Sequence, residues 1–137
     1  KTIMTRHLIT VSVSDPLTKV EEIFEEHNFH HIPVLDKGML VGMISKSDYL
    51  FFLRGFSGEV NTKNDGIRLK TYTARDIMTE KLAKMDANDR VNVALDILKK
   101  NLFHAIPVLD NGNLVGIVTP LDVISNLIET EELIKEY

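Results

Sequence analysis

The chain has 137 residues, of which 44% are hydrophobic and 26% are charged, and its formal net charge is −4. This length suits one compact domain or two very small ones that share a core, and the acidic excess argues against nucleic-acid binding, which needs a basic face. There is no cysteine, which excludes disulfides, thiolate catalysis and cysteine-ligated zinc and is compatible with the cytosol. No apolar run reaches the roughly 18 residues that a membrane span needs. We therefore expect a cytoplasmic globular protein with no membrane segment in this chain.

The chain contains two copies of one sequence unit, offset by 74 residues. The recurring segments are residues 3–5 (IMT) with 77–79 (IMT), residues 29–45 (FHHIPVLDKGMLVGMIS) with 103–119 (FHAIPVLDNGNLVGIVT), and Asp48 with Asp122. Chance does not produce one ungapped register over so many positions, so the repeat defines the organisation of the chain. We divide the chain into a first copy (residues 1–53), a connector (54–74) and a second copy (75–137).

Each copy contains a predicted helix near its start. In the first copy Asp15 is the expected N-cap and Pro16 the first helical residue, and Asp89 is the expected N-cap in the second copy. Apolar residues then recur at helical spacing and predict one buried face per helix. These residues are Leu17, Val20, Ile23 and Phe24 in the first copy and Val91, Ala94, Leu95, Leu98 and Leu102 in the second.

A predicted β-hairpin and a second helix follow in each copy. Two short apolar runs, residues 32–35 and 40–44, flank a turn that contains Gly38, and their counterparts flank Gly112. The second helix is expected to start near Ser45 or Thr119. With the opening strand of each copy, the predicted order is strand, helix, strand, strand, helix.

The connector has no counterpart in the repeat. Glycine, asparagine and aspartate residues predict that it is a loop or a loosely helical excursion. They are Gly55, Gly58, Asn61, Asn64, Asp65 and Gly66. Just before the connector, residues 49–53 (YLFFL) are too apolar to face water all round, so they either join the core or form part of an oligomer contact.

The motif that can carry chemistry follows the hairpin. Gly42, Ser45 and Asp48 belong to a pattern of glycine, two apolar residues, a hydroxyl, two variable residues and aspartate, and Thr119 and Asp122 complete the same pattern in the second copy. A hydroxyl three residues before a carboxylate at a helix start is typical of a cap. The same helix start offers N–H donors to a phosphate, and the aspartate can accept hydrogen bonds from two ribose hydroxyls. Capping and ligand binding can therefore alternate at this position.

The pairing of His-x-Ile-Pro-Val-Leu-Asp with Gly-x-x-Ser/Thr-x-x-Asp, twice in one chain, closely resembles pairs of cystathionine β-synthase-type (CBS) domains. The resemblance covers both copies and omits the connector and the chain ends. It implies an α+β fold of two βαββα units packed about a pseudo-two-fold axis, and it also implies a homodimer. The implied function is a regulatory module, not an enzyme, that binds AMP, ADP or ATP in the cleft between the copies. No obligatory cofactor is implied.

The resemblance also assigns residues to the ligand. The ribose is expected at Asp48 and Asp122. The expected phosphate contacts are Ser45, Thr119, His30, His31, His104 and Lys46. The adenine is expected in two apolar slots, one formed by Met43 with Leu82 and Ala83, the other by Ile117 with Leu8 and Ile9. Relatives that sense nucleotides often carry arginine beside the first histidine, where this chain has His31 and Ala105, so permanent positive charge is lower here.

Other functions compete with nucleotide binding. Such a pair can serve as a dimerisation or protein-interaction module, with the hydroxyl–aspartate motif acting as a cap alone. S-adenosylmethionine is a second alternative ligand, because it shares adenine and ribose but lacks phosphate. Metal binding is not expected, because His30 and His31 lack the further ligands of a structural zinc site, and no nucleophile stands beside a base in an arrangement that predicts an enzyme. The sequence begins with Lys1 and not with Met, which is compatible with a fragment but does not establish one, and the receiver of the signal, a partner protein or a missing domain, is not identified by this sequence.

Overall fold

The computed structural model describes residues 4–54, 62–100 and 105–135. The chain divides into two compact units: the first-repeat unit is Ile9–Lys81, and the second-repeat unit holds the described residues on either side of that range. The segment that opens each copy packs in the unit of the other copy. Met4 lies against the core of the second-repeat unit and Met78 against the core of the first-repeat unit.

The fold is mixed α+β, and each unit contains strand, helix, strand, strand and helix in the predicted order. The first-repeat unit consists of β1 (Val11–Ser12), α1 (Leu17–Glu26), β2 (His31–Asp36), β3 (Met39–Ser45), α2 (Lys46–Arg54), α3 (Thr62–Thr71) and α4 (Ala74–Ile77). The second-repeat unit consists of β4 (Met85–Asp86), α5 (Val91–Lys99), β5 (Ile106–Asp110), β6 (Asn113–Val118) and α6 (Pro120–Lys135). The prediction of two βαββα units is confirmed. In the described part of the chain, no helix has the length and apolar character needed to cross a bilayer.

Each unit has a three-stranded sheet whose middle strand is parallel to the first strand and antiparallel to the third. The hairpin turns contain two residues each, Lys37 with Gly38 and Asn111 with Gly112, and all four have φ between 51° and 82°. Two successive left-handed residues give the tight turn that matches the twist of the strands, and glycine takes this conformation without strain. The predicted hairpins are therefore confirmed.

The apolar face predicted for α1 is confirmed, because all four of its residues (Leu17, Val20, Ile23 and Phe24) are buried. The matching face of α5 is less enclosed, since Ala94 is its one buried residue. Leu95, predicted to share that face, is 43% exposed, and Leu102 lies outside the described residues. The difference arises from α3, which packs on α1 and adds the buried Leu69 to the same core. No described helix of the second-repeat unit occupies the corresponding place on α5.

The predicted N-cap of α1 is wrong by one residue. The helix begins at Leu17 with Pro16 at the N-cap position, and no side chain caps it. The Asp15 carboxylate instead accepts a hydrogen bond from the Ser12 N–H at 2.7 Å, which closes the turn after β1. The Leu17 N–H donates to the Tyr72 carbonyl oxygen at 3.0 Å. The connector backbone thus satisfies a donor of the helix start that a side chain would otherwise satisfy.

The second copy repeats this correction. The helix α5 begins at Val91 with Arg90 at the N-cap position, again without a side-chain cap. The Asp89 carboxylate accepts a hydrogen bond from the Asp86 N–H at 2.9 Å, as Asp15 does in the first copy. The aspartates therefore close the turns between strand and helix, and the predicted capping role is wrong in both copies.

The connector is more regular than the predicted loop or loose helix. Asn64, Asp65 and Gly66 lie within α3, whereas Gly55, Gly58 and Asn61 lie outside the described residues. Asparagine, aspartate and glycine all have low helix propensity. Packing on α1 therefore stabilises this helix where local propensity does not, with Leu69 only 3% exposed.

The apolar run at residues 49–53 contributes mostly to the core. Tyr49 is buried, and Phe52 and Leu53 pack against the core of the first-repeat unit, which confirms the core interpretation for these three residues. Arg68 of α3 lies 4.6 Å from the centre of the Phe52 ring, and its Nη2 donates to the Phe52 carbonyl oxygen at 2.7 Å. Phe51 is 83% exposed, so a role in an oligomer contact stays a prediction for that residue.

Candidate ligand site

The hydroxyl and the aspartate of the first motif contact each other at the start of α2. The Ser45 N–H donates to Asp48 Oδ2 at 3.0 Å, and the Asp48 N–H donates to Ser45 Oγ at 3.0 Å. This reciprocal pair is a capping box with aspartate in place of the usual glutamate or glutamine. It satisfies two N–H groups that a helix start leaves without an intrahelical acceptor. The capping interpretation of the first motif is therefore confirmed.

The second motif forms the same cap at the start of α6. Asp122 Oδ2 accepts hydrogen bonds from the Thr119 N–H at 2.9 Å and from the Thr119 hydroxyl at 3.1 Å, and the Asp122 N–H lies 3.4 Å from Thr119 Oγ1. Pro120 is the first residue of α6. An N–H at this position would have no intrahelical acceptor, so the proline costs the helix no hydrogen bond. Both aspartates therefore direct one carboxylate oxygen toward the backbone of the preceding strand end.

The glycine of each motif makes room for a methionine from the segment that opens the other copy. A Cβ atom at Gly42 would lie 2.6 Å from Met78 Sδ, and a Cβ atom at Gly116 would lie 2.6 Å from Met4 Sδ. Both distances are well below the optimal contact separation of about 3.5–4.0 Å between carbon atoms. A larger residue at either position would displace the methionine, so packing requires the motif glycines.

A short backbone pairing brings a threonine close to each motif. Met43 and Thr79 exchange two N–H···O hydrogen bonds of 3.0 and 2.8 Å, and Ile117 and Thr5 exchange two of 3.0 and 2.8 Å. The Thr5 hydroxyl then reaches the motif and donates to Asp122 Oδ1 at 3.1 Å. Between the described residues Thr79 and Asp48 there is no corresponding hydrogen bond.

Thr5 is the site residue that sequence reasoning missed. The recurrence of residues 3–5 as residues 77–79 established the register of the repeat, but nothing in that recurrence pointed to Asp122. The sequence did contain one relevant pattern, a threonine that is repeated at the same distance before the motif of each copy. Its meaning depends on the pairing of Thr5 with Ile117, which a single sequence does not reveal.

Some of the residues predicted to contact the phosphate lie at or beside the start of α2. The Lys46 N–H donates to the His30 carbonyl oxygen at 2.8 Å, and His31 pairs with Ser45 between β2 and β3. His30 is exposed, whereas His31 and Lys46 are half-buried. His104 lies outside the described residues. Across the part of the chain that the structure describes, no three His, Asp or Glu side chains are grouped to hold a metal ion.

The predicted adenine contacts are apolar and largely covered by protein. Met43 and Ile117 are each 5% exposed. The residues assigned to the slots beside them are all half-buried, namely Leu8, Ile9, Leu82 and Ala83. Met43 and Ile9 belong to the first-repeat unit and the other four residues to the second-repeat unit. Each of the two predicted adenine slots combines residues of both units, so both slots stay predictions.

A family model described as "CBS domain" matches the chain twice, over residues 1–55 and 74–129. The chain belongs to the CBS domain family. Each of the two matched ranges contains one glycine, one hydroxyl and one aspartate of the motif, so each CBS domain carries one capped aspartate. This CBS pair is therefore a member of a family of regulatory modules, as the sequence resemblance implied.

Three known proteins illustrate what this CBS pair is similar to. An uncharacterized protein of Methanocaldococcus jannaschii is 32% identical over 152 aligned positions, which cover 93% of this chain and 90% of that protein. Inosine-5'-monophosphate dehydrogenase of Thermoplasma acidophilum is 27% identical over 126 positions, and there the chain spans 23% of the enzyme's length. The structure of CBSX2 in complex with AMP superposes with a TM-score of 0.76 at 25% identity, covering 95% of this chain and 96% of that chain.

Proposed function

We propose that this CBS pair is a regulatory module that binds an adenine nucleotide at its two capped aspartates. The observation that carries the proposal is that Asp48 and Asp122 each present a carboxylate beside a hydroxyl at a helix start, with the same two backbone N–H contacts in both copies. The similarity to CBSX2, whose structure is a complex with AMP, supports AMP as the first ligand to test. ADP and ATP belong to the same proposal.

The ribose is assigned to the aspartates. A carboxylate offers about four acceptor positions, and the Asp48 carboxylate uses one of them for the Ser45 N–H. The remaining positions suit the two vicinal hydroxyls of a ribose. Hydrogen bonds to a charged acceptor contribute about 1.5–3 kcal/mol each, which is enough for the pair to contribute a large share of a micromolar affinity.

The phosphate is assigned to the hydroxyl end of each motif. If the capping box opens, the Ser45 hydroxyl and the Asp48 N–H become available, and phosphate oxygens can replace the cap as acceptors at the positive end of the α2 dipole. The exchange preserves the number of hydrogen bonds, so we expect its cost to be small. The cationic and imidazole side chains assigned to the phosphate are Lys46, His30 and His31 in the first copy and His104 in the second.

Binding is proposed to regulate another protein or domain. A ligand shifts a protein between two arrangements only to the extent that it binds one of them more tightly. Typical coupling free energies between sites are about 1–3 kcal/mol. The receiver of the signal is proposed to be a partner protein or a further domain of a longer chain, and the nucleotide leaves the module chemically unchanged.

Isothermal titration calorimetry with AMP, ADP, ATP and S-adenosylmethionine tests the proposal, with GTP as the control for base recognition. Micromolar binding of an adenine nucleotide, together with no heat from GTP, is the expected result. Binding of S-adenosylmethionine alone would replace the nucleotide by a ligand without phosphate. Absence of heat with every ligand, on folded protein shown to be free of bound nucleotide, would contradict the proposal.

A second function, self-association as a homodimer, is favoured by one face of α6. Four apolar residues at helical spacing, Leu121, Ile124, Leu127 and Ile128, have exposed fractions of 71, 53, 57 and 53%. They form a patch on the order of 400 Å², a size that is often functional on a single protein. Two such patches in contact would bury on the order of 800 Å² of surface, and the polar rim around them would add to that area. A biological interface buries at least about 1,000 Å² in total.

The first copy supplies matched substitutions for this face. It carries Ser47 and Arg54 at the positions of Leu121 and Ile128. We expect the double variant Leu121→Ser, Ile128→Arg to turn a dimer into a monomer in sedimentation velocity. Met39→Ser, which removes an apolar side chain of 53% exposure at the hairpin, should leave the dimer intact. A wild-type chain that sediments as a monomer at micromolar concentration would contradict self-association.

A further inference from the structure

The two capped aspartates differ in how many hydrogen bonds they already accept. Within the described residues, the Asp48 carboxylate accepts one, from the Ser45 N–H. The Asp122 carboxylate accepts three, two on Oδ2 from Thr119 and one on Oδ1 from the Thr5 hydroxyl. A carboxylate has about four acceptor positions, so Asp122 is close to saturation while Asp48 is not.

The backbones around the two aspartates match, so the difference in the number of accepted hydrogen bonds comes from the side chains. Thr5 and Ile117 exchange hydrogen bonds of 2.8 and 3.0 Å, and Thr79 and Met43 exchange hydrogen bonds of the same lengths. Both threonines are exposed. The Thr5 hydroxyl nevertheless donates to the aspartate of its unit, whereas no such bond joins Thr79 to Asp48 in the described structure.

From this asymmetry we infer that Thr5 acts as an internal competitor for the nucleotide and that the two sites are unequal. This inference rests on the proposed function. Asp122 has one acceptor position left, so the second of the two vicinal ribose hydroxyls must displace the Thr5 hydroxyl, whereas Asp48 can accept both hydroxyls without losing a partner. Replacing one charge-assisted hydrogen bond by another adds little affinity, so we expect the Asp122 site to bind about tenfold more weakly. Thr5 is thus a residue that sets the order in which the sites fill.

Calorimetry with AMP on site-isolating variants tests the inference. Asp122→Asn isolates the site at Asp48, and Asp48→Asn isolates the site at Asp122. We expect Asp122→Asn protein to keep the tighter site and Asp48→Asn protein to bind about tenfold more weakly. Adding Thr5→Val, which removes the hydroxyl and conserves volume, to Asp48→Asn should strengthen AMP binding several-fold, whereas Thr5→Ser, which keeps the donor, should not.

The repeat supplies the matched control, since Thr79→Val in the Asp122→Asn background should leave the affinity unchanged. Circular dichroism melting of each variant checks that the chain is folded. A role of Thr5 in structure alone would lower affinity or leave it unchanged, so either result for Thr5→Val in the Asp48→Asn background overturns the inference. Equal affinities of the two isolated sites overturn it as well. Absence of AMP binding by the wild-type chain would instead overturn the proposed function and, with it, this inference.

Discussion

The Thr5 hydroxyl donates a hydrogen bond to Asp122 Oδ1 at 3.1 Å across a separation of 117 positions in the chain. The contact exists because the segment that opens the first copy packs in the unit of the second copy, where Thr5 pairs with Ile117. A candidate ligand residue of one copy is therefore held by a side chain from the other copy. The two copies depend on each other for their sites as well as for their cores.

The capping boxes should contribute measurably to stability. Ser45→Ala removes the acceptor of the Asp48 N–H, and loss of an N-cap typically lowers the free energy of unfolding by about 0.5–2 kcal/mol. The neighbouring Ser47 is exposed, and Ser47→Ala should change that free energy by less than about 0.5 kcal/mol. Urea unfolding of both variants checks this prediction. Equal stabilities would show that the cap observed at α2 contributes nothing to folding.

The motif glycine Gly42 should resist substitution because of Met78. In Gly42→Ala the new methyl group would meet Met78 Sδ at 2.6 Å, and overpacking of this kind costs about 1–3 kcal/mol. The same substitution in a Met78→Ala background should cost less, because the opposing side chain is gone. A double-mutant cycle measured by thermal unfolding gives the coupling free energy. Additive effects of the two substitutions would contradict the packing explanation.

A small pocket in the second-repeat unit, partly open to solvent, should accept one further methylene group. Its lining residues are Met4, Met85, Asp86, Asp89, Val91, Val108 and Val118. The counterpart of Val91 in the first copy is Leu17, which is fully buried. Val91 is half-buried, so we expect Val91→Leu to raise the free energy of unfolding by at most about 0.8 kcal/mol, the value of one fully buried methylene, and Leu17→Val to lower it by about 0.5–1.5 kcal/mol. Destabilisation by Val91→Leu would show that the pocket cannot accommodate the larger side chain.

Nucleotide affinity should depend on the histidine assigned to the phosphate. An imidazole N–H can donate a hydrogen bond to a phosphate oxygen. His30 is exposed, and we expect His30→Asn to weaken the binding of AMP more than the binding of adenosine, because adenosine lacks the phosphate. Calorimetry with both ligands checks this prediction. An equal effect on the two affinities would remove His30 from the phosphate site.

The repeat made most of the fold predictable. The register between the copies, the apolar face of α1 and the glycine turns are local patterns, and each is confirmed in the structure. The capping boxes at Ser45 and Thr119 were predictable for the same reason, since a hydroxyl and a carboxylate three residues apart interact within one helical turn. Where a contact joins residues that are only a few positions apart, the sequence alone predicted it.

The remaining features depend on contacts between distant segments. The α3 helix contains Gly66 and gains its stability from packing on α1, so helix propensity alone did not predict it. The N-cap of α1 was misplaced because the Leu17 N–H is satisfied by the carbonyl oxygen of Tyr72. The contact of Thr5 with Asp122 was missed for the same reason. None of these partners can be identified from spacing along the chain.

The central claim is that the capped aspartates hold the nucleotide, and AMP calorimetry on Asp48→Asn and Asp122→Asn tests it most directly. Each substitution conserves shape but removes the charged acceptor for the ribose hydroxyls, and the lost interactions correspond to about 1–3 kcal/mol, which is roughly a 5-fold to 150-fold loss of affinity at that site. We predict that each single variant weakens AMP binding at one site and that the double variant weakens it at both sites by the same factor. Unchanged AMP affinity in the folded double variant would contradict the claim and leave self-association through α6 as the better supported function.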